Sequence, residues 1–309
     1  MMAAHSSRLI DRLPAVRGEY EENVTLADMS WFRVGGPAEV LFRPADEADL
    51  AQFLRQRPAD VPLTVLGVCS NVLVRDGGID GVVIRLGQGF AGVEVAGPHI
   101  RAGAGLPNVS LALSARDAAI TGFEFLRGVP GTVGGSLRMN AGAYGREMAD
   151  LVVHVTAIDG AGELHSLALG EMGYGYRQCS VPADWIFVSA LMRGEPGDRD
   201  RISRRMDEIS AERAFSQPVR SRTGGSTFKN PPPEAAGGKR AWELIEQAGC
   251  RGLTVGGAMV SEQHCNFLIN GGAATAGDLE ALGEEVRRRV CAACGVELEW
   301  EIRIIGRPA

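Results

Sequence analysis

The sequence predicts an α+β protein of two successive domains that divide near residue 200, and three observations carry that prediction. From about residue 38 to 195, short apolar strands outnumber helices. The charged stretch 199-DRDRISRRMDEISAERAF-216 then reads as one connecting helix, its arginines forming a solvated face. Beyond it the pattern changes to a Gly/Pro-rich loop, two helices and a final alternating strand. The resulting boundaries are 1–200 and 201–309, with an N-terminal extension over 1–25.

The elements follow in chain order. AEVLFRPAD reads as a strand and turn, 47-EADLAQFLRQR-57 as an amphipathic helix, and LTVLG as an apolar strand. VLVRDGGIDGVVIRL reads as two strands joined by a glycine-rich turn, and GVEVAGPHIRAGAG as one further strand. PNVSLALSARDAAIT predicts a helix opened by proline, because a missing N–H costs nothing in a first turn. LVVHVTAID, GELHSL and WIFVSALMR predict three more strands. After the loop 222–238, 240-RAWELIEQAG-249 predicts a helix stopped by glycine. The next helix starts at Thr275, with Asp278 three residues on as in a capping box. It places Leu279, Leu282, Val286 and Val290 on one face and ends at Gly295. VELEWEIRII then alternates strictly, with Val296, Leu298, Trp300, Ile302 and Ile304 on one side, which predicts a strand with one buried face.

Composition narrows the function. The 309 residues are enough for two cores, and 45% hydrophobic with 23% charged residues is globular composition. A net charge of −6 argues against a nucleic-acid-binding surface. No apolar run approaches a membrane span. Residues 1–16 lack the continuous apolar core of a secretory signal, so a cytoplasmic chain with reduced thiols is the expectation; a monomer is the expected state. Six cysteines are scattered; Cys291 and Cys294 sit in a helical pattern without a second pair, which reads as packing and not as metal or redox chemistry.

Three glycine runs could bring backbone close to a ligand: 34-VGGPAE-39, 66-LGVCSNVLVRDGGIDG-81 and 127-RGVPGTVGGSLRMNAGAYG-145. The second can aim successive N–H groups, the Ser70 hydroxyl and the Asn71 amide at a phosphate. The third holds six glycines in nineteen residues and buries little apolar area of its own, so it is costly to order without a ligand. Tight turns explain each run singly; together they favour a diphosphate-bearing cofactor. A fourth run, 222-RTGGSTFKNP-231, offers a hydroxyl, a cation and an amide within five residues, and by itself is equally a surface turn.

In combination and in order, SWFRVGGPAE, LGVCSNVLVRD, FLRGVPGTVGGSLRMNAGAYG, YGYRQC, GGSTFKNP, AWELIEQAG, VSEQHCNFLIN and LEWEIRIIG resemble the UDP-N-acetylenolpyruvoylglucosamine reductase (UDP-N-acetylmuramate dehydrogenase) family over about Leu26 to Gly306. The long tyrosine-bearing insertion of one branch is absent, so the chain resembles the shorter branch. The family usually has glycine where Cys69 stands, and small or β-branched residues where Arg138 and Trp31 stand. The resemblance implies a vanillyl-alcohol-oxidase (PCMH) type FAD-binding domain, 1–200, followed by a smaller α+β substrate-binding domain, 201–309. It implies non-covalent FAD held by Gly67, Ser70, Asn71, Val129, Pro130, Gly131, Thr132, Gly134, Gly135, Ala141 and Gly142. NADPH is the implied co-substrate, and UDP-N-acetylglucosamine enolpyruvate the substrate, reduced to UDP-N-acetylmuramate for peptidoglycan.

By position, Ser226 matches the family's proton donor, Arg177 its catalytic arginine and Glu301 its catalytic glutamate; Tyr176, Lys229, Asn230 and His264 are expected to touch substrate. The chemistry needs such groups. Hydride attack on an enol ether bearing a carboxylate builds negative charge beside that carboxylate, which a cation and a hydrogen-bonding acid stabilise. A positioned hydroxyl must then protonate the carbon. The rival readings are another flavin oxidase or dehydrogenase of the same fold, and a non-catalytic nucleotide-sugar-binding protein.

Overall fold

A computed structural model describes residues 8–309, so residues 1–7 of the expected N-terminal extension lie outside the described residues. The chain forms two compact units. The first takes the described residues up to Val24, then Ala38–Gly67 and Asp80–Ser210; the second takes Thr25–Pro37, Val68–Ile79 and Ala211–Ala309. A single cut near 200 therefore misses two segments, 25–37 and 68–79, that cluster with the C-terminal residues.

The first unit contains two larger sheets and two short two-stranded ones among the described residues. One has four strands in the order Glu19–Thr25, Pro37–Arg43, Ile79–Arg85, Leu63–Leu66, the last two parallel. The helix Glu47–Gln56 starts where the Asp46 carboxylate accepts the Asp49 N–H, and its buried residues include Leu50, Ala51, Phe53 and Leu54. These pack with Val40, Phe42, Val82 and Ile84 into one core. The second sheet is an antiparallel set in the order Leu164–Ala168, Val152–Ile158, Ile186–Arg193, His99–Gly103, Val93–Ala96. GVEVAGPHIRAGAG is thus a hairpin of two strands and not one, because Gly97 turns the chain at φ +56°.

The connecting helix Arg199–Ser216 buries Ile202, Met206 and Ile209 along one stripe. Ile202 and Met206 join the larger core of the first unit, with Leu111, Phe123, Leu137 and Val155.

The second unit is built on the helix Ala276–Cys294. Thr275 and Asp278 form the expected capping box, with both bonds at 3.0 Å, and Gly295 ends the helix in the left-handed region. Asp76 adds a second carboxylate at the same end, accepting the amides of Ala276 and Gly277 at 3.0 and 2.9 Å, where the helix dipole favours negative charge. Arg75 grips Glu280 with two bonds at 2.9 and 2.7 Å. These contacts, and the parallel pairing of Val72–Val74 with Arg303–Ile305, explain why 68–79 belongs to this unit. The two strands expected from VLVRDGGIDGVVIRL consequently do not pair with each other. Gly77 lets the chain pass: a Cβ there would lie 2.2 Å from the Pro308 carbonyl oxygen.

The alternation predicted for 296–304 is partly realised. Val296, Leu298 and Ile302 are buried, but the regular strand is confined to Arg303–Ile305. The pairing partner changes along the run, from Phe228 opposite Trp300 to Val72 opposite Arg303, so no single ladder forms. No helix among the described residues is long and apolar enough to cross a membrane.

Candidate active site

In the first unit, the glycine-rich segment 127–145 is held by its backbone against the loop before the helix Asn108–Asp117. Gly131 O accepts the Asn108 N–H at 3.0 Å, Val133 donates to Leu106 O at 2.9 Å, and Gly134 to Ala104 O at 2.8 Å. The Asn108 side chain, completely buried, donates to Val129 O at 3.2 Å and Ser136 Oγ at 2.7 Å. Thr132 ends this loop, and the helix Val133–Met139 follows. Gly67 approaches the same place closely: a Cβ on it would stand 2.9 Å from Thr132 Oγ1.

Three observations test this segment as a cradle for the diphosphate cofactor. The amides of Gly131 and Thr132 donate to no protein acceptor among the described residues. The buried Asn108 Oδ1 has no hydrogen-bond donor. The close approach at Gly67 leaves no room for a side chain. Backbone donors held open beside glycines are what an anion needs, and the residues fit FAD.

Arg177 stands on a tight turn closed by reciprocal Gly175–Gln178 backbone bonds at 3.1 and 3.2 Å. Its backbone has φ +54°, a left-handed conformation that costs a non-glycine residue about 1–2 kcal/mol. Its guanidinium donates to Gly142 O at 2.8 Å and lies 5.2 Å from the ring centre of Tyr176, which is 51% exposed. The expected cofactor residues Ala141 and Gly142 are therefore next to the expected catalytic arginine. Asn140, buried and at φ +41°, ties the two together: its Nδ2 donates to Gly175 O at 3.2 Å and its Oδ1 accepts from Ala149 N at 3.0 Å.

In the second unit, the run 224-GGSTFKN-230 is a held loop: Gly224 lies against the Phe32 ring, and Gly225 turns at φ +83°. Ser226, half-buried, follows. The next residues run antiparallel to 299–301: Glu301 N donates to Thr227 O and Lys229 N to Glu299 O, each at 2.9 Å. Glu301 thereby lies opposite Thr227, the residue that follows Ser226. Asn71 joins them, its Nδ2 donating to Glu301 O at 3.1 Å and its own carbonyl accepting from Arg303 N at 3.0 Å. The backbone of Ser70 lies beside Gly225. Arg177 is in the first unit, and Ser226 and Glu301 are in the second.

The other expected contacts have structural partners. Lys229 Nζ pairs with Glu299 at 3.1 Å. Asn230 Oδ1 accepts the Ala241 N–H at 3.1 Å, capping the helix Ala241–Gln247. His264 packs edge-on to Phe267 at 4.9 Å, and its Nδ1 accepts from Asn266 N at 3.3 Å. Burial holds its imidazole below its ordinary value, with the Arg251 charge acting the same way.

Asn266 and Asn270 support the site without having been expected from the sequence. Asn266 is buried and clasps Phe228: Oδ1 accepts its N–H at 2.9 Å and Nδ2 donates to its carbonyl at 2.8 Å. Asn266 O also accepts the Thr227 N–H at 2.8 Å. Asn270, also buried, donates to Phe32 O at 2.8 Å and accepts from Gly272 N and Ala274 N. Their one signal in the sequence is amides amid apolar residues in VSEQHCNFLIN. Among the described residues, no group of three histidine, cysteine or carboxylate side chains could hold a metal ion.

Comparison with known proteins assigns two segments of the chain to families. Residues 38–168 match the FAD binding domain family, and residues 217–305 match the UDP-N-acetylenolpyruvoylglucosamine reductase C-terminal domain family. A UDP-N-acetylenolpyruvoylglucosamine reductase of Rhodospirillum rubrum is 59% identical over 298 residues, covering 96% of this chain and 93% of its own. One from Parvibaculum lavamentivorans is 58% identical over 307 residues, covering 99% and 97%. The crystal structure of the UDP-N-acetylenolpyruvylglucosamine reductase from Thermus caldophilus superimposes with a TM-score of 0.81 at 34% identity, over 94% of this chain and 100% of that one.

Proposed function

We propose the following chemistry for a chain that belongs to the UDP-N-acetylenolpyruvoylglucosamine reductase family: it reduces UDP-N-acetylglucosamine enolpyruvate to UDP-N-acetylmuramate, with NADPH as co-substrate and FAD as cofactor. The observation that supports this reading is the backbone bond from Glu301 N to Thr227 O, which brings Glu301 to the residue after Ser226 on the loop that Asn266 clasps, within a family whose name states the reaction. The protein works as a monomer in the cytoplasm, away from membrane and nucleic acid.

FAD would supply the hydride-transfer chemistry between NADPH and the substrate's terminal carbon. Gly67 and the segment Val129, Pro130, Gly131, Thr132, Gly134 and Gly135 would hold the cofactor through backbone, and Ser70 and Asn71 are assigned to it by the resemblance. The Arg177 guanidinium and the Glu301 carboxyl stabilise the charge that develops beside the substrate carboxylate. The Ser226 hydroxyl gives its proton to the neighbouring carbon. Lys229, Tyr176 and His264 are assigned to substrate contact by the resemblance. Asn230 supports them by fixing the helix that follows the loop.

The test uses purified protein. It should be yellow, release its flavin on acid precipitation, and oxidise NADPH only when the enolpyruvyl nucleotide is present. Flavin remaining with the precipitate would refute non-covalent binding. Oxidation of NADPH driven by a simple sugar or alcohol instead would make the chain another oxidoreductase of this fold.

A further inference from the structure

We infer that Arg138 is a positioning residue that holds the Arg177 turn against the cofactor cradle; the inference rests on the role proposed above for Arg177. Arg138 lies in the last turn of the helix Val133–Met139, whose first turn carries Gly134 and Gly135. Its guanidinium reaches the chain that leaves the Arg177 turn. It donates to Val181 O at 2.7 Å, Pro182 O at 3.2 Å and Trp185 O at 2.5 Å, and lies 4.2 Å from the ring centre of Phe187. A planar five-donor fork can satisfy three carbonyls and stack on a ring at once; a lysine ammonium cannot.

The turn is thereby held on both sides. Asn140 takes Gly175 O on the entering arm, Arg138 takes 181, 182 and 185 on the leaving arm, and Arg177 itself reaches back to Gly142 O. Between the arms, Ser180 N donates to Met172 O at 2.9 Å, so the intervening loop is closed on itself. Such bracing has a purpose here. A non-glycine residue at φ +54° keeps that conformation only while its surroundings over-determine it. Arg138 supplies the largest share of side-chain bonds to the leaving arm. Removing it frees Arg177 to relax towards ordinary backbone angles, while the backbone bonds of Gly131, Val133 and Gly134 that shape the cradle stay intact.

The experiment follows flavin absorbance of the holoenzyme by stopped flow in Arg138→Met, Arg138→Lys and, as a reference, Arg177→Lys. In Arg138→Met, flavin content and bleaching by NADPH should stay within about twofold of wild type. Reoxidation by the enolpyruvyl nucleotide should slow on the order of tenfold to a hundredfold, the size of effect that a misplacement of about 1 Å produces. Arg138→Lys should fall between, and carries the comparison if Arg138→Met is not recovered with flavin. A lowered melting temperature with both half-reactions unchanged would make Arg138 purely structural and overturn the inference, as would equal slowing of both. A slow Arg177→Lys beside a normal Arg138→Met overturns this inference alone. A normal Arg177→Lys overturns the assigned role of Arg177, and with it the claim that Arg138 acts through it.

Discussion

Asn266→Ala is the substitution whose cost follows most directly from the structure. The Asn266 side chain makes two bonds to the backbone of Phe228, at 2.9 and 2.8 Å, in a place where Phe228 is 1% and Asn266 5% exposed. Alanine leaves a buried N–H and a buried carbonyl without partners, each worth about 1–3 kcal/mol of desolvation. The bond from Thr227 N to Asn266 O survives, because it is made by backbone. The expected loss is therefore about 2–6 kcal/mol. At roughly 2–4 °C per kcal/mol, melting of the second unit should fall by about 4–24 °C. Asn266→Asp should be no better, since it sets a charged oxygen against the Phe228 carbonyl. Thermal unfolding followed by circular dichroism measures the effect. A melting temperature within a degree of wild type would mean that water replaces both bonds, and that Asn266 does not fix the Ser226 loop.

Two further predictions concern the site and its pH dependence. Arg177→Lys keeps the charge but loses the fork, and should cost about a hundredfold in turnover, near 2.7 kcal/mol, with flavin content unchanged; near-normal steady-state rates would make Arg177 peripheral. His264 is held below its ordinary value of 6.5 chiefly by burial, so its unfolded form binds protons first as pH falls. Its stabilising share is complete above pH 6.5 and is lost as pH drops through the lowered folded value. The fall in melting temperature from about pH 7.5 to about pH 5.5 should be smaller in His264→Gln than in wild type; an equal fall in both would assign the pH response elsewhere.

What the sequence discloses is what depends on near neighbours. Thr275, Asp278 and Gly295 mark both ends of their helix because caps and stops are made within a turn or so. The glycines at 131 and 134 and the pair before Ser226 signal close backbone approach, and the structure has positive φ at Gly131 and Gly225 and tight contacts at Gly134 and Gly224. Pairings between distant segments are not legible. Nothing in Val72–Val74 or Arg303–Ile305 announces a parallel pair between segments so far apart in the chain, so the sequence alone assigns 68–79 to the first domain. Asn266 and Asn270 are silent for a similar reason: an amide in an apolar run gains its meaning only from the distant backbone it clasps. Asn71 shows both sides, expected as a cofactor contact from its loop and found also holding the Glu301 backbone.

The central claim is that Ser226 donates the proton that completes reduction, and Ser226→Ala tests it most directly in one stopped-flow record of flavin absorbance. Bleaching by NADPH should proceed at close to the wild-type rate, because that step needs nothing from residue 226. Reoxidation by UDP-N-acetylglucosamine enolpyruvate should slow by about 10²–10⁴-fold, the usual worth of general acid catalysis. Ser226→Cys should recover part of it, since a thiol donates from the same place. Equal slowing of both phases, or of neither, would contradict the account and leave Ser226 as a residue of an ordinary turn.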